Sequence, residues 1–220
     1  MNCLLCQESL TEKISFLDLL TIRQNQKTLC PTCQAGFEAI SDNHCPSCFK
    51  SHQDTVCSDC LIWKEKGETI SHESIYQYNQ AMKDYMSRFK FMGDYLLKDV
   101  FKQDLKKALK AYKDFQVVPI PMDKENQKLR GFNQVEALLE AAGIPYLSLF
   151  EKEKVIKQSS KSRKERLVSK NPFQLRKDLP KLDKVIIVDD VYTTGATLLH
   201  AKTLLQEAGC SKVLTFSLAR

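Results

Sequence analysis

Apolar and polar positions along this chain follow two periodicities, one suited to strands and one to helices. Val185–Val188 is an unbroken apolar run, the pattern of a parallel strand buried on both faces. Gln116–Pro121 predicts a second buried strand, ended by Pro119 and Pro121. Ser71–Tyr78 alternates as a strand should, and Lys212–Leu218 supplies the last one. Helical spacing fills the intervals. Asn79 caps a predicted helix to about Lys90, with Ala81, Met82, Tyr85, Met86 and Phe89 on one face. A helix from Asp94 to about Tyr112 buries Leu97, Phe101, Leu105 and Leu109, and Asn133–Ala142 forms another that stops at Gly143. Leu198, Leu199, Leu204 and Leu205 mark one that begins at Ala196 and closes at Gly209. The stretch MDKENQKLRGFNQ, with Lys124, Lys128 and Arg130, predicts a loop. Strands alternating with helices specify an α/β fold built on a parallel sheet.

The first 66 residues lack that pattern and carry cysteines instead. Eight of the nine fall into four C-x-x-C pairs: Cys3/Cys6, Cys30/Cys33, Cys45/Cys48 and Cys57/Cys60. Each pair presents two thiolates to one metal, and two pairs complete a tetrahedral four-cysteine zinc site, so four predict two Zn²⁺ sites. Sequential pairing joins the first pair to the second and the third to the fourth; an interleaved arrangement is the alternative. His44 and His52 lie among the ligands as substitutes or as solvated side chains. The chain starts with neither a basic segment nor an apolar core, and no stretch nears the ~20 apolar residues of a membrane span. A cytoplasmic location is expected, which argues against disulfides. A small double zinc-ribbon domain over 1–66, hinged at Gly67-Glu68-Thr69, and an α/β domain over 67–220 is the predicted organisation. Cys210, after a helix-ending glycine, is expected to be an inert small residue.

The densest chemistry lies in VIIVDDVYTTGAT, Val185 to Thr197. The apolar run stops at Asp189 and Asp190, a short loop of hydroxyl residues around Gly195 follows, and a helix opens. Ligand groups are thereby placed at the carboxyl end of a strand, where open α/β sheets bind ligands. Gly195 permits close approach of the backbone, and the first amides of the helix suit a phosphate. Thr193, Thr194 and Thr197 add hydroxyl donors. Two acids beside a phosphate cradle would repel the phosphate, so they are expected to face ribose hydroxyls, directly or through Mg²⁺.

Charge changes the picture locally. The net charge is +6, yet residues 151–184 alone hold 12 Lys/Arg against 5 Asp/Glu, an excess of +7. This stretch predicts a mobile basic flap over the site or an arm for phosphate backbones; Lys161, Arg163, Lys164 and Arg166 are its candidate nucleic-acid contacts.

The strand, two acids and Thr-Thr-Gly-x-Thr loop resemble the phosphoribosyl pyrophosphate (PRPP) signature of type I phosphoribosyltransferases. The resemblance implies that Asp189 and Asp190 hold the ribose 2′- and 3′-hydroxyls, and that Thr193, Thr194, Gly195, Ala196 and Thr197 hold the 5′-phosphate. It also implies pyrophosphate contacts after the Gln116–Pro121 strand, with Arg130 the candidate catalytic residue stabilising the leaving group. Thr193 stands where hypoxanthine-type members carry an aspartate, which disfavours hypoxanthine or guanine salvage. Three segments together narrow the resemblance: the cysteine pairs, Pro119 to Gln134 (PIP…RGFNQ), and QSSKSRKER before the threonine loop. In this order they are similar to the ComF family of competence proteins, in which a double zinc ribbon precedes a phosphoribosyltransferase-like domain. Membership implies a role in natural transformation, with single-stranded DNA received in the cytosol beside a helicase-like ATPase partner at the inner membrane face. Two functions follow: a binding protein for DNA and partner that keeps a PRPP site with Mg²⁺, or an active phosphoribosyltransferase.

Overall fold

The computed structural model describes residues 1–10, 27–152, 171–177, 180 and 182–220. Its centre is a four-stranded, wholly parallel sheet in the order β1-β6-β5-β2, formed by His72–Tyr76 (β1), Gln116–Pro119 (β2), Lys184–Val191 (β5) and Lys212–Ala219 (β6). Successive side chains of a strand point to opposite faces. Ile186 and Val188 accordingly join one apolar cluster, while Val185 and Ile187 join another. β5 runs three residues beyond the predicted Val188, because β6 continues beside it and pairs Asp189 with Ser217 and Val191 with Ala219. The acids therefore lie on the strand itself, and alternation sends their side chains to opposite faces of its end.

Helices α3 (Gln80–Phe91), α4 (Lys102–Leu109) and α6 (Gln134–Ala141) cover the first face, and α7 (Ala196–Glu207) covers the second. Asn79 caps α3 as predicted, its side-chain oxygen accepting from the Met82 amide at 3.0 Å. Met82, Tyr85, Met86 and Phe89 are buried, with Ala81 half-buried at the margin. The predicted helix Asp94–Tyr112 is instead a 3₁₀ turn (Tyr95–Asp99), then α4, then a second 3₁₀ turn. At the break the Leu97 carbonyl accepts from the Val100 amide at 3.1 Å and from the Tyr85 hydroxyl at 3.1 Å. The apolar spacing survives: Leu97, Phe101, Leu105 and Leu109 are all buried. The predicted loop after β2 contains helix α5 (Lys124–Arg130), capped by Asp123 and ended by Gly131 at φ +81°. Its N-cap and glycine stop outweigh a run with little apolar content.

Two short strands, Phe150–Lys152 (β3) and Phe173–Leu175 (β4), pair antiparallel and bring the start of the basic segment beside a later part of it. Parts of the predicted 151–184 flap are thus ordered structure. Its candidate nucleic-acid residues Lys161, Arg163, Lys164 and Arg166 lie outside the described residues. Among the described residues no helix is long and apolar enough to cross a membrane.

The cysteine-rich segment joins the outer edge of the sheet and sends one ring into its core. Ala39 bridges Tyr76 on the outer edge of β1, and the Ile40 amide donates to the Ile75 carbonyl at 2.9 Å. Phe37 inserts among core rings, 4.9 Å from Phe101 and 6.1 Å from Tyr85, centroid to centroid. Truncating a fully buried ring costs about 3–5 kcal/mol. Phe101→Ala is therefore expected to lower unfolding free energy by about that much in urea, with the cysteine-rich segment melting in the same transition. An independent early transition of that segment would refute this packing.

Candidate functional site

Four thiols converge twice. Cys3, Cys6, Cys30 and Cys33 form one set and Cys45, Cys48, Cys57 and Cys60 the other, with the sulfurs of each set within 4.8 Å of one another. This is the sequential pairing. The two sets are built alike. In each, a tight turn closes on the first cysteine: Asn2 bridges Ser9 and His44 bridges Ser51. The turns place Gln7 and Phe49 at positive φ, 66° and 58°. In each, the third cysteine starts a helix, Cys30 before α1 (Pro31–Ala35) and Cys57 before α2 (Ser58–Glu65). Its amide donates to the sulfur of the first cysteine, at 3.3 Å in both sets. Such donors favour thiolates. Burial alone would raise the Cys3 thiol, but amides of Cys6, Cys30 and Leu5 bring it to about 6. All eight cysteines are free of disulfides, so each set has the donors of a tetrahedral zinc site. His44 stacks on Phe49 at 4.0 Å, and neither it nor His52 belongs to a thiol set. Cys210 is buried with its thiol directed to backbone carbonyls, as expected of an inert residue.

The second site lies at the carboxyl ends of the strands. Asp190 is buried and pairs with Lys90 from the last turn of α3, Nζ to Oδ2 2.6 Å. Burial opposes its ionisation, but Lys90 overcomes this and holds the carboxyl below the usual range, aided by a hydrogen bond from Gln134. Asp189 accepts from the Asp190 amide at 2.8 Å. Burial, then the neighbouring Asp190 charge, raise it to about 7. At neutral pH the pair thus holds one fixed negative charge and a second carboxyl poised to titrate. Arg130, at the end of α5, donates to Gln134 Oε1 at 3.2 Å, so a chain of contacts leads from Arg130 through Gln134 to Asp190. Lys128 is exposed on α5.

The threonine loop follows β5 directly. Gly195 sits at φ +82°, and a Cβ there would lie 2.2 Å from the Tyr192 hydroxyl oxygen, so both conformation and space exclude a larger residue. Thr193 is exposed, Thr194, Gly195 and Ala196 are buried, and Thr197 is half-buried at the start of α7. The first amides of α7 lack intrahelical acceptors and carry the positive end of the helix dipole.

The loop is held from below by the second thiol set. Trp63 of α2 donates its indole N–H to the Thr194 carbonyl at 2.7 Å. Arg220 Nη1 donates to the Thr193 carbonyl at 2.7 Å, its Nε to the Cys48 carbonyl at 3.2 Å and its Nη2 to Cys48 Sγ at 3.2 Å. The same guanidinium stacks on Tyr192 at 4.5 Å and lies 3.7 Å from Asp59. Sequence reasoning missed Lys90, Gln134, Trp63 and Arg220 as site residues; of these, Gln134 closes the RGFNQ segment that carries the family resemblance.

The chain is similar in sequence to known proteins that share these motifs' region. A phosphoribosyl transferase domain model matches residues 130–220, which hold the acids and threonine loop. Competence protein ComFC of Streptococcus pneumoniae is 46% identical over 220 residues, covering 100% of both chains. This chain belongs to the ComFC family. The ComFC of Bacillus subtilis is 34% identical, over 99% of this chain and 94% of its own. Competence protein F of Haemophilus influenzae is 26% identical over 87% of this chain and 90% of its own. Among solved structures, a Staphylococcus aureus hypoxanthine phosphoribosyltransferase matches at 20% identity and TM-score 0.32, over 56% of this chain and 65% of its own. An allosteric regulatory enzyme of purine biosynthesis matches at the same identity and score, over 54% and 25%. In this chain a cysteine-rich segment with two four-thiol sets precedes a phosphoribosyltransferase-like parallel-sheet fold.

Trp63 is the single tryptophan of the chain, which makes its grip on the loop measurable. Removing Arg220 deletes several charge-assisted hydrogen bonds, each worth roughly 1.5–3 kcal/mol. Arg220→Ala is expected to red-shift Trp63 emission and to lower stability by about that amount, and stripping metal with a chelator should move the emission the same way. An unchanged spectrum in both would show that the loop does not rest on this support.

Proposed function

We propose that the chain is a competence protein for natural transformation that handles incoming single-stranded DNA in the cytosol and retains a phosphoribosyl pyrophosphate site. Full-length similarity to proteins named for competence carries this reading. In it, Asp189 and Asp190 accept from the ribose 2′- and 3′-hydroxyls, while Thr193, Thr194 and Thr197 and the amides opening α7 take the 5′-phosphate. Lys90 balances one acid, so the pair does not carry two full charges beside a phosphate. Arg130 faces the pyrophosphate. Mg²⁺ bound with the ligand supplies compensation for pyrophosphate charge. Cys3, Cys6, Cys30 and Cys33 hold one Zn²⁺, and Cys45, Cys48, Cys57 and Cys60 the second. Zn²⁺ supplies the cross-links that a segment with so small a core lacks. The segment bearing Lys161, Arg163, Lys164 and Arg166 runs along phosphate backbones, and a helicase-like competence ATPase is the partner that recruits the protein to the inner face of the membrane.

One observation favours the alternative of an active phosphoribosyltransferase on a nucleobase or nucleotide. Burial and the neighbouring Asp190 charge raise the Asp189 carboxyl, beside which Asp190 stays ionised on Lys90, so the site contains a carboxylate able to take a proton from an acceptor. The acceptor nitrogen would bond to the ribose anomeric carbon as its bond to pyrophosphate breaks.

Titrating Mg²⁺-PRPP calorimetrically into the metal-loaded protein tests the site. Ionised Asp189 is the accepting form, so affinity is expected to rise with pH through about 7. Asp189→Asn should bind at least about tenfold more weakly and lose that pH dependence. Wild-type protein that fails to bind would leave the fold as a scaffold without this ligand. For DNA, alanine at Lys161, Arg163, Lys164 and Arg166 is expected to weaken single-strand binding. The slope of log affinity on log salt should fall by up to roughly 0.7 for each phosphate interaction removed; an unchanged slope excludes these residues.

A further inference from the structure

Beside the acids lies a surface of which the phosphoribosyl reading uses only Arg130. α3 ends at Phe91 with Met92 as its C-cap, 71% and 75% exposed, before the turn at Gly93. Leu129 of α5, 84% exposed, adds a third apolar side chain from the neighbouring element. Phe91 thus offers an exposed aromatic face that no core packing explains. Its setting specifies the occupant. The Arg130 guanidinium lies over the Phe91 ring, 5.1 Å from its centroid, and Lys98 lies over the half-exposed Tyr95 ring at 3.9 Å. Two cation–aromatic pairs close to the end of α3 combine flat π surfaces with positive charge. That is the chemistry of a nucleobase carrying a phosphate, and it disfavours a purely apolar protein partner.

Position ties this surface to the acids. Phe91 follows Lys90, which pairs with Asp190, and Arg130 reaches Asp190 through Gln134. The contacts close a ring: Phe91, Arg130, Gln134, Asp190, Lys90. We infer that Phe91, backed by Arg130, is a stacking platform for a nucleobase at the rim of the acid site. The base belongs either to a free nucleotide acceptor or to a nucleotide within a single strand. This deepens the proposed function and rests on its reading of the site as one that takes nucleotide chemistry.

The test uses the full-length, metal-loaded protein and two fluorescent probes, 2-aminopurine riboside 5′-monophosphate and a single-stranded oligonucleotide carrying one internal 2-aminopurine. An oligonucleotide abasic throughout serves as the backbone control. Stacking quenches 2-aminopurine, so the wild type should quench at least one probe. Phe91→Leu keeps the apolar bulk under Arg130 but removes the π face. It is expected to lose the quenching and to weaken that probe about 5- to 150-fold at fixed salt, while the abasic strand binds as before. Phe91→Trp should restore binding. Quenching of the free nucleotide alone assigns the base to an acceptor, and quenching in the strand alone assigns it to the DNA path; both support the platform. Equal quenching by wild type and Phe91→Leu overturns it, as does absence of quenching by the wild type with both probes, and a protein partner then becomes the occupant to seek. Binding of Mg²⁺-PRPP to the wild type is read separately, so a failed platform and a failed phosphoribosyl site give different patterns.

Discussion

The guanidinium of Arg220 is the point on which the two halves of this molecule bear. A planar fork with five donors satisfies acceptors in several directions at once, which an ammonium cannot do. Here it spans a thiol and carbonyl of the second four-thiol set and the carbonyl of Thr193, while its face rests on Tyr192. Trp63 makes a parallel connection from α2 to Thr194. The threonine loop therefore has its backbone carbonyls tied down on the side of the cysteine-rich segment, which leaves the amides opening α7 free to face a ligand. A loop that must close around an anion gains from such preorganisation, because the ordering is in place before the ligand arrives.

Electrostatics at the strand end follow from the same placement. Two adjacent carboxylates on one buried strand could not both be ionised cheaply. Alternation along β5 separates them onto opposite faces, and Lys90 reaches only the one on the α3 side. The result is an unequal pair, one acid held ionised and one held near neutrality. The strand geometry produces two chemical roles from two identical residues.

What the sequence disclosed was local. The apolar run, the acids, the glycine in the threonine loop and the cysteine spacing each act over a few residues, so pattern alone revealed them. The face of α3 was equally plain, down to its asparagine cap, and so were the bounds of α6 to within a residue at each end. Where pattern failed, the cause lay in long-range contacts or in weak local signals. At the break before α4 the Leu97 carbonyl is shared by the Val100 amide and the distant Tyr85 hydroxyl. Helix α5 was hidden by its polarity, although Asp123 and Gly131 bracket it as caps. Trp63 meets Thr194 across 131 residues and Arg220 meets Cys48 across 172, separations at which no spacing rule operates.

The strand order has a consequence for how the chain is made. β1 lies at the sheet edge and its only strand partner among the described residues is β6; His72 and Thr215, aligned in register, stand 143 residues apart. During synthesis β1 leaves the ribosome long before that partner exists. Its other edge, however, is bridged by the residues around Ala39, which emerge earlier and lie between the two four-thiol sets. At roughly 5–20 residues per second the wait for β6 lasts many seconds, and an unpaired strand edge invites pairing with other nascent chains. The cysteine-rich segment thus closes one of the two edges of β1 while the ribosome is still at work, halving the exposed backbone, so metal supply at that moment bears on yield as well as on the finished fold.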